Sequence, residues 1–223
     1  MENSKSKNFM TYFNEIFDKN LARANVITRV VNSWNVGKEI KIEPLYLNLI
    51  GYKFSIELGI KDIDEFYDNY MELFDTDFYK FLGWSRPKSE IDLLKQLEEL
   101  LKKEVDNLNH MYFVILKGKE IIGVLYLYDY KYKHKKANLT VGLKYSYRGR
   151  KIAKEIVKSV IEKFMKTEEP ILVRLGCEVE TTNIRSLALV ENTLVNEGFR
   201  LEGLLRNNYG VGINCYIYSY IIE

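Results

Sequence analysis

The sequence predicts a mixed α/β fold, of the α+β kind, with helices packed on a twisted and mostly antiparallel sheet. Three observations support this prediction. Strand-like apolar runs follow one another between residues 112 and 143. A basic turn and an amphipathic helix pattern at residues 152–164 come next, and further strand-like runs complete the chain. Early strands of this kind pair as an antiparallel meander, while a strand–helix–strand crossover adds a parallel pair.

Length and composition are typical of one sizeable domain, or of one domain plus an extension. The chain has 223 residues, of which 47% are hydrophobic and 29% charged, and 33 basic residues balance 31 acidic ones. Such a balance argues against a nucleic-acid partner. Neither a signal-peptide pattern after residues 1–7 nor a membrane-length apolar run is present, so we expect a cytoplasmic protein with no membrane partner.

Cysteine and histidine are scarce. Cys177 and Cys215 lie in strand-like apolar runs, which predicts buried free thiols. His110 and His134 are the only histidines, and both stand in polar surroundings. The sequence therefore predicts no metal site and gives no support to a histidine-based nucleophilic site.

The first part of the chain is predicted to be an N-terminal helical extension, residues 1–38, ahead of a main domain at residues 39–223. Apolar residues recur at helical spacing over residues 8–33. This helical segment either packs on the main domain or docks a partner. Apolar runs within residues 39–58 predict strands, turned at Gly51.

The remaining elements follow from apolar periodicity and turn residues. Helices are predicted at 62–74 and 89–108, and an aromatic, irregular segment at 78–84 separates them. The predicted later elements are strands at 112–116, 121–130, 137–143 and 171–179, helices at 152–164 and 183–197, a Gly198 cap, and strands at 199–204 and 214–222.

The turn before the 152–164 helix carries three cations around one glycine: Arg148, Gly149, Arg150 and Lys151. A helix start offers free backbone N–H groups and the positive end of the helix dipole. The pattern suggests a phosphate site, although a solvated basic connection would look the same.

Three motifs occur in order over the second half of the chain. They are Arg148-Gly-Arg-Lys-Ile-Ala153, Asn183-Ile-Arg-Ser186 and Gly198-Phe-Arg-Leu-Glu-Gly203. With this order and spacing the chain resembles the GNAT acyltransferase superfamily, in particular its RimJ/RimL-type N-acetyltransferase branch. The resemblance covers residues 110–222 well and residues 40–109 faintly.

The resemblance implies a donor, acetyl-CoA or another acyl-CoA. In such proteins the turn wraps the pyrophosphate, and the pantetheine arm runs beside the preceding strand. The implied donor-binding residues are Val141, Leu143, Arg148, Gly149, Arg150, Lys151, Ile152, Ala153 and Asn183. The backbone N–H near Val141 would polarise the thioester carbonyl.

The implied reaction is direct attack of a neutral amine on the thioester, which needs a base and an acid. By position, Asn183 would orient a water or the pantetheine arm, and Ser186 would donate to the sulfur. Asn183 is also suited to be a helix N-cap, and both roles are compatible.

Two residues depart from the family pattern. Lys151 stands where the family has a second turn glycine, and it could project outward, contact a phosphate or obstruct the site. Asn138 stands where many relatives have a glutamate, and an amide cannot take a proton. Glu178 is the base we expect, with Glu180 on the same strand face as the alternative. Tyr209 and Tyr216 are candidate acids.

The leading expectation is an N-acyltransferase acting on a primary amine of a protein or peptide N-terminus, a lysine or a small molecule. A non-catalytic GNAT-like binding or structural subunit is one alternative. An enzyme that uses a longer acyl-CoA or an acyl carrier protein is another. A homodimer is among the assemblies that the resemblance permits.

Overall fold

The computed structural model describes residue 11 and residues 31–59, 63–74, 78, 85–107 and 109–222. Within those residues, no helix is both long and apolar enough to cross a membrane. The chain divides into two compact units, Met1–Leu125 and Tyr126–Glu223.

Eight strands form one sheet in the order β1-β2-β3-β4-β5-β6-β8-β7. The pairs β1–β2, β2–β3, β6–β8 and β7–β8 are antiparallel, and β5–β6 is parallel. The predicted mixed and mostly antiparallel sheet is therefore confirmed. The strands are Trp34–Val36 (β1), Ile40–Pro44 (β2), Met111–Lys117 (β3), Glu120–Lys131 (β4), Lys136–Leu143 (β5), Arg174–Glu180 (β6), Arg200–Leu205 (β7) and Cys215–Ile221 (β8).

Five α-helices lie in the described part of the chain. They are Leu45–Glu57 (α1), Ile63–Met71 (α2), Glu90–Asn107 (α3), Ile152–Phe164 (α4) and Ile184–Leu189 (α5). A π-helical turn, Val190–Leu194, and a 3₁₀ turn, Val195–Glu197, extend α5. Helices α2, α3, α4 and α5 lie where apolar periodicity predicts them, because each presents one apolar face to a core.

The strands predicted within residues 45–58 are wrong, because this segment is helix α1. Its buried side chains are Leu45, Tyr46, Leu49 and Tyr52, which recur at helical spacing. Tyr52 stacks on Phe66 of α2 with ring centroids 3.8 Å apart. Packing against α2 thus selects a helix from a run whose apolar residues also fit a strand.

The helices predicted over residues 8–33 lie almost entirely outside the described residues, as does most of the aromatic segment 78–84. Residues 34–36, at the end of the proposed extension, form β1 and pair with β2. The Trp34 ring also contacts Phe113 of β3 edge-on, with centroids 5.2 Å apart. The end of the proposed extension therefore belongs to the sheet of the first unit.

The second unit is built around the β5–α4–β6 crossover, and the parallel β5–β6 pair is the one that this connection predicts. Helix α4 buries Ile156, Val160 and Phe164 fully. Gly198 ends the helical segment before β7 with φ +105°, as the predicted glycine cap requires. Glu202, in the third motif, forms an ion pair with Arg174 at the start of β6.

Candidate active site

Strands β5 and β6 separate part of the way along their length. Their paired residues are Lys136 with Arg174, Ala137 with Leu175, and Asn138 with Gly176. Beyond Asn138 and Gly176 no further pair between these two strands is present in the described chain, while β6 stays paired with β8 up to Glu180. The separated ends leave a gap in the sheet with backbone groups along its β5 side.

The basic turn leads from β5 into α4 through two left-handed residues. Gly149 has φ +74° and Lys151, the residue just before α4, has φ +64°. Lys151 thus keeps the backbone conformation that favours glycine, and its side chain is exposed. The first turn of α4 begins at Ile152 and Ala153, whose N–H groups have no carbonyl partner within the helix.

Three arginine side chains in and beside this turn lie over tyrosine rings. Arg148 donates from Nε to the Leu143 carbonyl at 2.8 Å. Its guanidinium lies 5.8 Å from the Tyr145 ring centroid, and the Arg185 guanidinium lies 5.7 Å from the same ring. Arg150 lies 5.6 Å from the Tyr147 ring and is exposed. Arg185 of α5 was not expected here, because only the fold brings Asn183-Ile-Arg-Ser186 beside the turn.

Glu178 of β6 is the centre of a hydrogen-bond cluster. Its Oε2 accepts from the Tyr209 hydroxyl at 2.8 Å and from Asn208 Nδ2 at 3.0 Å, and its Oε1 accepts from Asn138 Nδ2 at 3.3 Å. An ionised carboxylate offers about four lone-pair sites, so one or more sites on Oε1 remain for a further donor. The expected base and the residue in place of the family glutamate therefore lie together.

Gly176 makes this arrangement possible. A Cβ at Gly176 would lie 2.4 Å from Asn138 Oδ1, closer than such atoms approach. Without a side chain there, Asn138 reaches across the paired strands to Glu178, two residues further along β6. Asn138 donates to one oxygen of the carboxylate, Oε1, whereas Asn208 and Tyr209 donate to the other, Oε2.

Two tyrosines near Glu178 are held in the neutral form. Burial, with the hydrogen bond to Glu178 second, raises the pKa of Tyr209. Burial, followed by the nearby charge of Glu178, raises the pKa of Tyr128 on β4. Both hydroxyls therefore stay protonated at neutral pH, and that of Tyr209 donates to the carboxylate.

Asn183 and Ser186 lie at the start of α5. Asn183 is the N-cap, and its Oδ1 accepts from the Ser186 backbone N–H at 3.2 Å. This is the capping role that the sequence allows. The cap uses Oδ1, so the Asn183 Nδ2 group is the part that remains to meet a ligand. The Ser186 side chain is half-buried, one turn into the helix.

The other predicted site residues differ in whether their side chains can reach the gap or Glu178. Val141 is half-buried on β5, whereas the Leu143 side chain is buried, so only the Leu143 backbone can line the gap. Glu180 accepts a hydrogen bond from the neighbouring Thr182. Tyr216 lies opposite Val179 in register, so its side chain points to the face away from Glu178.

Both cysteines are free and buried, as predicted. Burial raises the pKa of the Cys177 thiol to about 12. Within the described residues, no group of three or more His, Cys, Asp or Glu side chains could hold a metal ion.

Comparisons with known proteins identify the family and the fold. The family model described as "Acetyltransferase (GNAT) domain" matches residues 57–193, more than half of the chain. No curated protein sequence matches the chain.

Several solved structures share the fold. A RimL ribosomal L7/L12 alpha-N-protein acetyltransferase is 16% identical with a TM-score of 0.65, and the match covers 86% of this chain and 95% of that one. An acetyltransferase from Salmonella typhimurium that modifies the N-terminal serine of L7/L12 is 15% identical, with a TM-score of 0.62 and coverage of 86% and 100%.

The Microcin C7 self-immunity acetyltransferase MccE, solved with acetyl-CoA and AMP, is 20% identical, with a TM-score of 0.58 and coverage of 84% and 94%. Identities this low show a common fold alone. The family match over residues 57–193 goes further. The chain belongs to the GNAT acetyltransferase family.

Proposed function

We propose that this protein is an N-acetyltransferase that moves an acetyl group from acetyl-CoA to a primary amine. The observation that carries the proposal is the gap between β5 and β6, which opens beside Glu178 and leads to the left-handed basic turn. A donor needs both parts: a slot for an extended arm and a cradle for phosphates.

The residues of the turn fit the phosphate end of such a donor. Gly149 and Lys151 turn the backbone sharply, and the N–H groups of Ile152 and Ala153 start α4. Backbone N–H groups at a helix start, together with the helix dipole, favour an anion. Arg150 and Arg185 add positive charge, while Arg148 also ties the turn to the end of β5.

The edge of β5 beyond Asn138 fits the arm. The backbone N–H and C=O groups on this side of the strand can pair with an extended, amide-containing ligand as a neighbouring strand would. Residues 139–143 supply this edge, including the proposed contacts at Val141 and Leu143. The half-buried Asn183 amide, just after β6, would orient the arm or a bound water.

When bound, acetyl-CoA would supply an activated thioester carbonyl. Glu178 would accept the proton that the attacking amine must lose, directly or through a water, because Oε1 has lone pairs to spare. Asn138, Asn208 and Tyr209 hold the carboxylate in place. The Ser186 hydroxyl would donate a hydrogen bond to the leaving sulfur, which would finally take up, through solvent, the proton that Glu178 accepted from the amine.

The acceptor that we favour is the N-terminal amine of a protein or peptide. Two of the neighbours above act on the N-terminus of ribosomal protein L7/L12, which makes this class the first to test. A lysine or a small amine remains the next class. A longer acyl donor is also compatible with the fold.

The first experiment is calorimetric titration with acetyl-CoA and with CoA. Arg150→Ala is a better test variant than Arg148→Ala. Arg148 also donates a hydrogen bond to the Leu143 carbonyl, so its loss could disturb the end of β5 as well as donor binding. Lys119→Ala, an exposed lysine far along the chain in the β3–β4 turn, is the matched control. We expect binding that weakens about three- to tenfold in Arg150→Ala, as loss of an exposed charge contact does, and is unchanged in the control.

Turnover is measured next, with an N-terminal peptide panel and a small-amine panel. We expect Glu178→Gln to lower kcat by about 10²- to 10⁴-fold while leaving acetyl-CoA affinity unchanged. Donor binding without turnover on any amine would favour the non-catalytic subunit. A folded wild-type protein that binds neither acetyl-CoA nor a longer acyl-CoA would refute the proposed function.

A further inference from the structure

Four tyrosines, Tyr126, Tyr128, Tyr130 and Tyr132, occupy every second position at the end of β4 and the start of the turn that follows, and we call them the tyrosine row. Tyr126 and Tyr128 lie on one face of β4, whereas Asp129 has φ +53°, which interrupts the alternation before Tyr130; all three tyrosines are half-buried. The Tyr126 and Tyr128 rings stack with centroids 5.2 Å apart. Tyr132, the next in the row, is 80% exposed and meets Tyr130 edge-on at 6.5 Å.

The row ends at a basic turn between β4 and β5. It consists of Lys131, Lys133, His134, Lys135 and Lys136, and every one of these side chains is exposed. In the described part of the chain none of the four lysines has an ion-pair partner. Elsewhere, Lys41, Lys102, Lys117, Lys154 and Lys158 do have one. Four uncompensated charges within six residues are unusual in a chain whose net charge is only +2.

The two features share one end of the candidate site. Burial and the charge of Glu178 act on Tyr128, and Asn138, which donates to Glu178, lies two residues from Lys136 on β5. Lys136 pairs with Arg174, and Glu178 lies four residues further along β6, about 13 Å at the rise of a strand. An extended peptide with its amine at Glu178 would therefore reach the basic turn at about its fourth to seventh residue.

We propose that the tyrosine row and the basic turn bind the N-terminal segment of the acceptor, and that this segment carries acidic residues a few positions after its reactive amine. The inference rests on the proposed function, and it narrows the acceptor to an acidic polypeptide. The rings would pack against the peptide backbone and side chains, and the lysines would pair with its carboxylates.

An acidic peptide fits the turn better than a nucleic acid does. The basic charge is confined to one turn of six residues, whereas phosphate backbones are bound by charge spread along a surface. Basic and acidic residues nearly balance over the whole chain, 33 against 31. The Glu178 carboxylate, whose charge acts on Tyr128, would attract an ammonium group and repel a phosphate.

The test uses two octapeptides that begin with the same three residues and carry either four aspartates or four glutamines at the following positions. Binding is measured by fluorescence anisotropy, and acetylation is measured as kcat/KM. The test variant is Lys131→Glu with Lys133→Glu, which leaves Glu178 and the donor turn untouched. The control carries Lys119→Glu with Lys166→Glu, two exposed lysines elsewhere.

The wild type and the control should prefer the aspartate peptide about tenfold, as several exposed ion pairs together allow, and salt should reduce the preference. In the test variant the two new glutamates offset the two remaining lysines, Lys135 and Lys136, so the preference should vanish. Tyr132→Ala should weaken binding of both the aspartate and the glutamine peptide.

Equal binding of the aspartate and glutamine peptides by the wild type would overturn the inference, whatever the turnover. Tighter binding of an RNA oligonucleotide than of the aspartate peptide would also overturn it. If the wild type binds the aspartate peptide selectively but acetylates nothing, the binding role of the tyrosine row and basic turn is supported and the proposed function is refuted. If it acetylates both peptides alike, the proposed function is supported and the binding role of this surface is refuted.

Discussion

Replacing Glu104 with glutamine should remove a pH-dependent loss of stability. Glu104 lies on α3 and is 2% exposed, and its Oε1 accepts from the Tyr112 backbone N–H. Burial raises the pKa of this carboxyl from 4.5 to about 8, although the hydrogen bond opposes the shift. Between these values the folded protein holds a proton that the unfolded chain releases.

The sign follows from this difference in bound protons. Because the folded state binds more, stability is greatest below pH 4.5 and falls as the pH rises towards 8, by about 1.4 kcal/mol per pH unit. From pH 5.5 to pH 7.5 the wild type should lose about 3 kcal/mol from this one group. Glutamine is neutral in both states, keeps the acceptor for Tyr112 N–H, and should show no such loss.

Urea unfolding at several pH values between 5.5 and 7.5 measures the effect. The difference in free energy of unfolding between Glu104→Gln and the wild type isolates this group, since other titrations cancel. Glu99→Gln, an exposed position on the same helix, is the control and should track the wild type. A difference between Glu104→Gln and the wild type that stays constant with pH would refute the reasoning.

Three further predictions concern the second unit. Lys151→Gly should stabilise the fold by up to about 1 kcal/mol relative to Lys151→Ala, because only glycine adopts φ +64° without strain; thermal unfolding that ranks alanine above glycine would contradict this. Gly176→Ala should displace Asn138 and cost about 1 kcal/mol for the lost hydrogen bond to Glu178. In a protein that already carries Asn138→Ala, Gly176→Ala should cost little further stability, because the hydrogen bond is already lost. Fully additive effects of the two substitutions in a double-mutant cycle would show that Gly176→Ala does not act through Asn138. Cys177, with its pKa near 12, should react with iodoacetamide at pH 8 far more slowly in the folded protein than in urea; equal rates, followed by mass spectrometry, would show that the thiol is not buried.

Helix α4 and its flanking strands could be predicted from the sequence because their periodicity has one interpretation. Ile156, Val160 and Phe164 repeat every four residues, and all are buried as expected. The run from Leu45 to Ile50 has no such clear period, since its apolar residues satisfy strand and helix spacing together. Contacts with α2 decide its structure, and the sequence alone does not reveal them.

The candidate site could be predicted only in part. Alternation along β6 places Glu178 on the same face as Glu180. Its partners Asn208 and Tyr209, however, lie about thirty residues away in the sequence. They lie in the turn between β7 and β8, and the pairing of β8 with β6 places them beside Glu178. No local sequence pattern predicts that pairing. The left-handed backbone conformation of Lys151 could not be predicted from the sequence either. Lysine rarely adopts this conformation, so its presence at this position suggests a different turn.

The separation of β5 from β6 means that the sheet of the second unit is one strand short over residues 139–143. A donor arm lying in that space would complete the sheet, so the co-substrate would also be a structural part of the folded protein. Its binding would raise the stability of the native state by mass action, by about 2.7 kcal/mol at a concentration one hundred times its Kd. A cell depleted of the donor would then hold a less stable protein, and its abundance would follow the supply of its own co-substrate.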